Sequence, residues 1–322
     1  MENKDSHTLP TRPKIIFMGT PDFSVPSLKA LIHHSHNIQA VITQPDRPKG
    51  RGKKMIPSPV KQVATQNRLE VLQPKKVSDR NFCDLIRGKA PDILIVVAFG
   101  QLLKKDLLSI PGWGSLNIHA SLLPKYRGAA PIHWAILNNE PRTGLTAMHI
   151  DEGLDTGPML LQEEIPVGIN ETAGELHDRL ARLSGDFLIK TLEALIKNQL
   201  TGKPQDHSMA SYAPKIERSM SQINWNHSAQ AVSALIRALD PRPGAFTLIK
   251  GKEIKLFSSG VIDEERPGTI PGRAIQHVDG TLEVETNNGA VRIRELQISG
   301  KKRLAAGEFL RGFSLDKGTI LG

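Results

Sequence analysis

An α/β chain is what this sequence predicts, with a doubly wound, mostly parallel sheet followed by a smaller antiparallel β-barrel. Three observations carry that expectation. Two apolar runs that close on glycine, Lys14-Ile15-Ile16-Phe17-Met18-Gly19 and Ile93-Leu94-Ile95-Val96-Val97-Ala98-Phe99-Gly100, have the unbroken hydrophobicity of strands buried on both faces. Helical patterns alternate with such strands at short spacing, as when parallel strands are joined by helices. From Asn224 the texture changes to one helix and then short alternating segments separated by turn residues, as in small barrels. A chain of 322 residues exceeds one typical core, so two domains are expected.

Taken in order, residues 1–13 mix Glu2, Lys4 and Asp5 with His7, Pro10 and Pro13, and read as a disordered tail. They lack the apolar centre of a signal peptide and the acid-free, Arg-rich face of a transit peptide. Residues 14–201 form the α/β domain. After its first strand, Ser24 and Pro26 supply a cap and an early-turn proline for a helix through Leu28, Leu31 and Ile32. Asn37 to Thr43 is a second strand, Pro59 to Leu69 a helix, Glu70 to Gln73 extended, and Arg80 to Arg87 a helix. Gly114 to Gly128 begins as a strand and is then broken by Pro124 and Gly128. A helix over Ala129 to Leu137 and strands over Leu145 to Ile150 and Met159 to Pro166 follow. Thr172-Ala173-Gly174-Glu175 has the form of a capping box and opens an amphipathic pattern through Leu176, Leu180, Leu183, Phe187, Leu192 and Ile196.

Residues 202–217, aperiodic and containing Gly202, Pro204 and Pro214, read as a linker. In residues 218–322 one helix, Ala229 to Leu239, precedes strands at Ala245 to Ile249, Glu253 to Phe257, Gly268 to Ile270, Leu282 to Glu285 and Val291 to Leu296. Turns at Lys250-Gly251, Asp279-Gly280 and Asn287-Asn288-Gly289 separate them, which makes the OB type of barrel the expected form.

Bulk properties narrow the function. A hydrophobic fraction of 39% and a charged fraction of 23% describe an ordinary globular protein, while a net charge of +9 favours polyanionic partners such as nucleic acid. The single cysteine, Cys83, excludes a disulfide framework or a multi-cysteine metal site and suits a reducing, cytoplasmic setting. Its place in Asn81-Phe82-Cys83-Asp84-Leu85 is that of a helix core position. No run approaches the ~18 apolar residues of a membrane-spanning helix. His33, His34 and His36 cluster at a helix end without evident carboxylate partners, so no metal site is read there. The first turn, Gly19-Thr20-Pro21-Asp22, has one glycine where a dinucleotide fingerprint needs three, and Gly50-Arg51-Gly52-Lys53-Lys54-Met55 does not fit a P-loop.

Two stretches carry chemistry. In the first, Asn117 and His119 alternate with Leu116 and Ile118, so the two polar side chains share one face at a strand end, where open α/β sheets hold their ligands. A lone histidine there is more often a satisfied core residue than a catalyst. This one is joined by a later acidic loop, His149 to Gly157, that contains Asp155. Asn, His and Asp gathered at strand ends make an acyl-transfer site. In the second stretch, Gln44 to Lys61, the cations Arg47, Lys49, Arg51, Lys53, Lys54 and Lys61 face a single acid, Asp46, and Pro45, Pro48, Pro57 and Pro59 exclude a helix. It is either a solvated charge run or an arm that grips phosphates, and it follows the second strand, so it leaves the sheet's carboxyl edge beside Asn117 and Asp155.

Asn117-Ile118-His119-Ala120-Ser121-Leu122-Leu123-Pro124-Lys125-Tyr126-Arg127-Gly128 resembles the signature of the folate-dependent formyltransferases, and Asp151-Glu152-Gly153-Leu154-Asp155-Thr156-Gly157 resembles their second motif. The opening Ile16 to Phe23, the basic loop, Ser211 to Ile216 and Pro241 to Ala245 are similar to the branch that formylates an aminoacyl-tRNA. The resemblance implies a Rossmann-like sheet and transfer of a formyl group from 10-formyltetrahydrofolate to the amino group of methionyl initiator tRNA. It implies that Asn117 and His119 stabilise the developing oxyanion, that Asp155 orients His119, and that Ser121, Leu122, Leu123 and Pro124 contact the folate. Arg47, with Lys49, Arg51, Lys53 and Lys54, would position the tRNA, and Arg242, Lys301, Lys302 and Arg303 of the barrel would add backbone contacts. A monomer with no metal is implied. A sister enzyme acting on a small amine, a formyltetrahydrofolate hydrolase and an inactive RNA-binding protein remain as alternatives.

Overall fold

The computed structural model describes residues 8–49, 54–263 and 266–322. These form two compact units that are not contiguous in sequence. The first holds the residues up to Gly128, Gly144–Ile165 and His177–Tyr212; the second holds Ala129–Thr143, Pro166–Leu176 and Ala213–Gly322. Parts of the segment expected to belong to the α/β domain therefore pack with the C-terminal residues. Of the expected tail, residues 1–7 lie outside the described residues, while Leu9 and Pro13 are buried.

In the first unit the chain runs β1 (Lys14–Gly19), α1 (Val25–His33), β2 (Asn37–Ile42), β3 (Arg47–Lys49), β4 (Lys54–Ile56), α2 (Pro59–Gln66), β5 (Val71–Leu72), α3 (Arg80–Gly88), β6 (Ile93–Val97), α4 (Lys105–Leu108) and β7 (Gly114–His119). After α5 (Pro131–Leu137), which belongs to the second unit, come β8 (Arg142–His149), β9 (Met159–Pro166) and α6 (Ala173–Ile196), whose residues from His177 belong to the first. The main sheet has the order β5-β2-β1-β6-β7-β8-β9. Neighbours from β5 to β7 are parallel, and β8 runs antiparallel to β7. Side chains from both faces of the central strands are buried: Ile16, Met18, Leu94 and Val96 on one, Ile15, Phe17, Ile93 and Ile95 on the other. Both faces are thus covered, as the unbroken apolar runs required. Cys83 and Ile86 of α3 pack into the first of these faces. Burial pushes the Cys83 thiol pKa up, so it is a core residue and no nucleophile.

The chain changes winding direction between β1 and β6, and the loops after these strands are tied together. Thr20 Oγ1 donates to Phe99 O at 2.9 Å, Ser24 Oγ to Val97 O at 2.6 Å, and the Gln44 amide after β2 reaches Thr20 Oγ1 at 3.3 Å. A Cβ on Gly19 would meet Ser24 Cβ at 2.7 Å, which is why this turn takes glycine. The basic loop, expected to be irregular, contains the short antiparallel hairpin β3–β4, with Arg47 opposite Ile56. Its prolines exclude a helix but tolerate a two-stranded ribbon with solvated edges.

In the second unit, α7 (Ala229–Ala238) is followed by β10 (Ala245–Ile249), β11 (Lys252–Asp263), β12 (Ala274–Gln276), β13 (Leu282–Glu285), β14 (Ala290–Ile298), β15 (Leu304–Ala305) and α8 (Ala306–Gly312). The sheet order is β10-β11-β14-β13-β12, with β15 on β14, all antiparallel, and it curls into a half-barrel. Two edges remain, each capped by an isolated bridge: Gln222 with Phe246 and Arg273 with Ile320. The strand expected at Gly268 to Ile270 is absent; that stretch is turn and coil, and β12 takes the place four residues later. Gly268 at φ +74° and Gly272 at φ +84° bend the chain too tightly there for a ladder. Arg237, buried on α7, donates to Asn139 Oδ1 at 2.7 Å and to Glu171 O at 3.2 Å, which draws the α5 end and the segment before α6 into this unit.

The capping box forms as read: the Glu175 amide donates to Thr172 Oγ1 at 3.2 Å and the Thr172 amide to Glu175 Oε2 at 2.9 Å. Thr172→Ala should cost about 1 kcal/mol. The expected readout is a lower denaturation midpoint with an unchanged far-UV spectrum; an unchanged midpoint would show that the cap does not hold the helix.

Candidate functional site

β7 brings Asn117 and His119 to the carboxyl edge on one face, with Asn117 beside Val96 of β6 and His119 opposite Thr146 of β8. His119 is 7% exposed. Its Nε2 lies 2.9 Å from Tyr126 O, and because a carbonyl only accepts, Nε2 carries the proton. Nδ1 faces Asp155 Oδ2 at 3.7 Å, within ion-pair range but longer than a hydrogen bond. The Asn117 carboxamide is partly exposed and makes no hydrogen bond among the described residues.

Asp155 is held by its surroundings. Its Oδ2 accepts the Gly128 amide at 2.8 Å, and its backbone adopts φ +54°, in the left-handed region. The loop around it is closed by Asp151, whose Oδ1 accepts from the Gly153 amide at 3.0 Å and from Thr156 Oγ1 at 2.7 Å. A Cβ on Gly157 would lie 2.0 Å from His149 O, so only glycine fits. His149 stacks on Trp113 with ring centroids 4.6 Å apart, and its burial lowers its pKa below the ordinary histidine value.

Ser121 to Pro124 run directly on from His119. Thr146 Oγ1 donates to Ser121 O at 2.6 Å and accepts the Leu123 amide at 3.1 Å, while Gln162 Nε2 reaches Leu123 O at 2.9 Å. The Leu123–Pro124 bond is cis. Ser121 and Leu123 are buried, and Ser121 Oγ donates to Lys125 O at 2.7 Å, so these two build the loop. Leu122 and Pro124 are partly exposed and supply its apolar surface.

The basic arm leaves the same edge. Asp46, its one acid, accepts from Lys61 Nζ at 2.7 Å and from Gln73 Nε2 at 2.7 Å, and these bonds, led by that from Lys61, hold its pKa below the usual carboxylate range. Lys61 is thereby committed to the root of the arm, whereas Arg47 is exposed. Lys49 ends β3 and Lys54 begins β4; Arg51 and Lys53 lie outside the described residues.

Sequence reasoning missed the side chains that fix the site from a distance. Gln205, in the expected linker, and Thr146 and Gln162, on β8 and β9, carry no motif that a linear reading could weigh. It also misassigned Arg303, which pairs with Asp240 Oδ1 at 2.7 Å and with Glu295 and lies 4.2 Å from the Phe257 ring. That guanidinium is spent inside the second unit. Arg242, Lys301 and Lys302 are exposed. Among the described residues no cluster of three or more His, Cys, Asp or Glu is arranged to hold a metal. No helix among them is long and apolar enough to cross a membrane.

The family profile described as "Formyl transferase" matches residues 13–192, and that described as "Formyl transferase, C-terminal domain" matches residues 215–314. The chain belongs to the formyl transferase family. The methionyl-tRNA formyltransferase of Pelotomaculum thermopropionicum is 45% identical over 96% of this chain and 98% of its own length. That of Alkaliphilus oremlandii is 46% identical over 96% of this chain and 99% of its own. Among solved structures, the sugar 3N-formyl transferase WlaRD superposes with a TM-score of 0.66 at 22% identity, covering 90% of this chain and 99% of that one. HypX from Aquifex aeolicus in complex with tetrahydrofolic acid superposes at 0.63 and 19% identity, covering 97% of this chain and 51% of that one. These two share the fold.

His149 gives a test of the loop's electrostatics. Its folded pKa lies below the unfolded value of about 6.5, so its contribution to stability is present above that pH and is lost as pH falls toward the folded value. His149→Phe keeps an aromatic ring against Trp113 and removes the titration. Thermal midpoints measured from pH 7.5 to 5 should fall less steeply in the variant; parallel curves would sink this assignment.

Proposed function

We propose that this chain transfers the formyl group of 10-formyltetrahydrofolate to the free amino group of methionyl initiator tRNA, as a cytoplasmic monomer. The observation that carries the proposal is the His119–Asp155 pair beside an unbonded Asn117 carboxamide at the carboxyl edge of β7, with a basic arm leaving the same edge. The residues fit the folate: Leu122 and Pro124 offer apolar surface on a loop continuous with His119, and Asn117 offers an uncommitted donor and acceptor.

10-Formyltetrahydrofolate, when bound, supplies the formyl carbon and takes up a proton at the nitrogen from which that carbon departs. The methionyl nitrogen forms a bond to that carbon, the carbon–nitrogen bond of the donor breaks, and one amine proton is lost. As the new bond forms, negative charge develops on the formyl oxygen. The Asn117 N–H donates to that charge, a well-placed donor contributing about 3 kcal/mol, and the positive charge of a protonated His119 ring beside it adds electrostatic stabilisation. Asp155, on the Nδ1 side of the ring, stabilises the imidazolium and helps to move the amine proton.

Between Gln44 and Lys61 the sequence holds five further cations, Arg47, Lys49, Arg51, Lys53 and Lys54, and no acid besides Asp46, which is bound to Lys61; this supports phosphate contacts by the arm. In the second unit, the exposed Arg292 and Arg294 line a cavity of about 310 Å³ with Asn170 and Gly260, and they replace Arg303 as the phosphate-facing cations there.

Incubation with labelled 10-formyltetrahydrofolate and charged initiator tRNA should yield formylmethionine. Transfer to an amino-sugar nucleotide but not to the tRNA would overturn the proposal. His119→Ala and Asp155→Asn should each lower kcat by roughly a thousandfold while folding normally; near-normal turnover of either would remove the catalytic assignment. Arg47→Ala should raise KM for tRNA or lower kcat with folate affinity unchanged, and tRNA binding should weaken steeply with salt. An effect confined to folate binding would show that the arm has another role.

A further inference from the structure

We infer that Gln205 is a positioning residue for Asp155, and that the buried Arg127 guanidinium fixes the orientation in which Gln205 does so. The inference rests on the formyl-transfer reading and concerns a residue between the two family-matched segments, 13–192 and 215–314.

The Gln205 side chain is 5% exposed and spans two groups of opposite demand. Its Nε2 donates to Asp155 O at 2.8 Å and to Gly157 O at 2.8 Å. Its Oε1 accepts from Arg127 Nε at 3.0 Å and Nη2 at 2.6 Å. Both amide protons and both oxygen lone pairs are therefore used. A carboxylate at this position would face two carbonyl oxygens with no proton to offer. An apolar side chain would leave a buried guanidinium and two carbonyls unsatisfied. Only a carboxamide meets both sides.

Arg127 is 2% exposed, and the guanidinium's other described hydrogen bond is Nη1 with His207 Nδ1 at 3.2 Å. A charged donor makes the bonds to Oε1 strong and sets which way round the amide lies. Residues 126–128 then fix the acid–base pair from both ends. Tyr126 O accepts a hydrogen bond from His119 Nε2–H, the Gly128 amide holds Asp155 Oδ2, and the Arg127 side chain holds the Asp155 carbonyl through Gln205. This hold matters because a φ of +54° is sparsely populated by non-glycine residues, so without it the Asp155 backbone has more favourable conformations to move to. Relaxation there would change the 3.7 Å separation of Asp155 Oδ2 and His119 Nδ1. Displacements of about 1 Å in such groups cost on the order of a hundredfold in rate.

The test uses the full chain and two variants. Gln205→Glu keeps the size and the acceptor for Arg127 but removes both donors; Gln205→Met keeps the length and removes all polarity. Each is assayed for formyl transfer beside the wild type, with thermal midpoint, both KM values and kcat against pH. The expected result for Gln205→Glu is a ten- to hundredfold fall in kcat, KM values within about threefold of wild type, and a displaced limb in the kcat–pH profile. A residue that merely filled space would lower the midpoint and leave that profile in place. Should Gln205→Glu not fold, the same readouts on Gln205→Met decide the matter. An active wild type with kcat and pH profile unchanged in the folded variants overturns the inference alone. A wild type that transfers no formyl group to methionyl-tRNA overturns the functional proposal on which it rests.

Discussion

Asp155 and His119 are the constraint on which the first unit depends, because a carboxylate and an imidazole drawn out of water must be met by hydrogen bonds from every side. His119 is 7% exposed and Asp155 18% by its side chain, and both find partners in the turn that follows β7. That turn cannot move without exposing one of them. It is pinned by Thr146 beneath Ser121 and by Ser211, whose Oγ accepts the Tyr126 amide at 3.0 Å and whose carbonyl accepts the Arg127 amide at 2.9 Å. The segment expected to be a mere linker is thus a wall of the site, and Gln205 stands in it.

The sheet edge explains why these groups meet where they do. In a doubly wound sheet the loops after adjacent strands diverge where the winding reverses, leaving a crevice. Here Thr20, Phe99 and Gln44 tie the loop ends of β1, β6 and β2 together at that place. β7 lies next in order, so Asn117 and His119 emerge beside a rigid rim. The arm at Arg47 departs from the same rim, and Asp46 anchors its root through Lys61 and Gln73. The acid in the arm serves its attachment, and the sequence from Gln44 to Lys61 holds no other acid.

What was legible in the sequence follows the range over which each signal acts. β1 and β6 were plain as apolar runs, and the Thr172–Glu175 cap as a local pattern, because both rest on neighbours in the chain. Asn117, His119 and Asp155 were legible as motifs, though nothing local announced that Tyr126 and Gly128 would clasp them. The hairpin in the basic loop was hidden by its prolines, and the Gly268 to Ile270 segment looked like a strand until the glycine turns around it are placed. Arg303 shows the limit most clearly: its charge suggested a phosphate partner, whereas Asp240, 63 residues away, takes it. Gln205, 78 residues from Arg127 and 50 from Asp155, lay beyond any pattern of spacing.

The proposed reaction asks little of the protein in the way of bond making, since the amine is the nucleophile and the formyl carbon is already electrophilic. Its demands are a donor for the oxyanion, a route for one proton and an amine brought close in its neutral form. In the proposal the first two fall to residues of β7 and the Asp155 loop. The third is not set by those residues, for Asn117, His119 and Asp155 would serve any primary amine equally. Choice of acceptor must come from what lies outside the reacting atoms, and in the proposed reaction it is assigned to the solvent-facing Arg47 on the same rim. A polyanion held there loses little freedom beyond what phosphate contacts already restrict, so the binding energy of a long acceptor can be spent on bringing its one amine to the site.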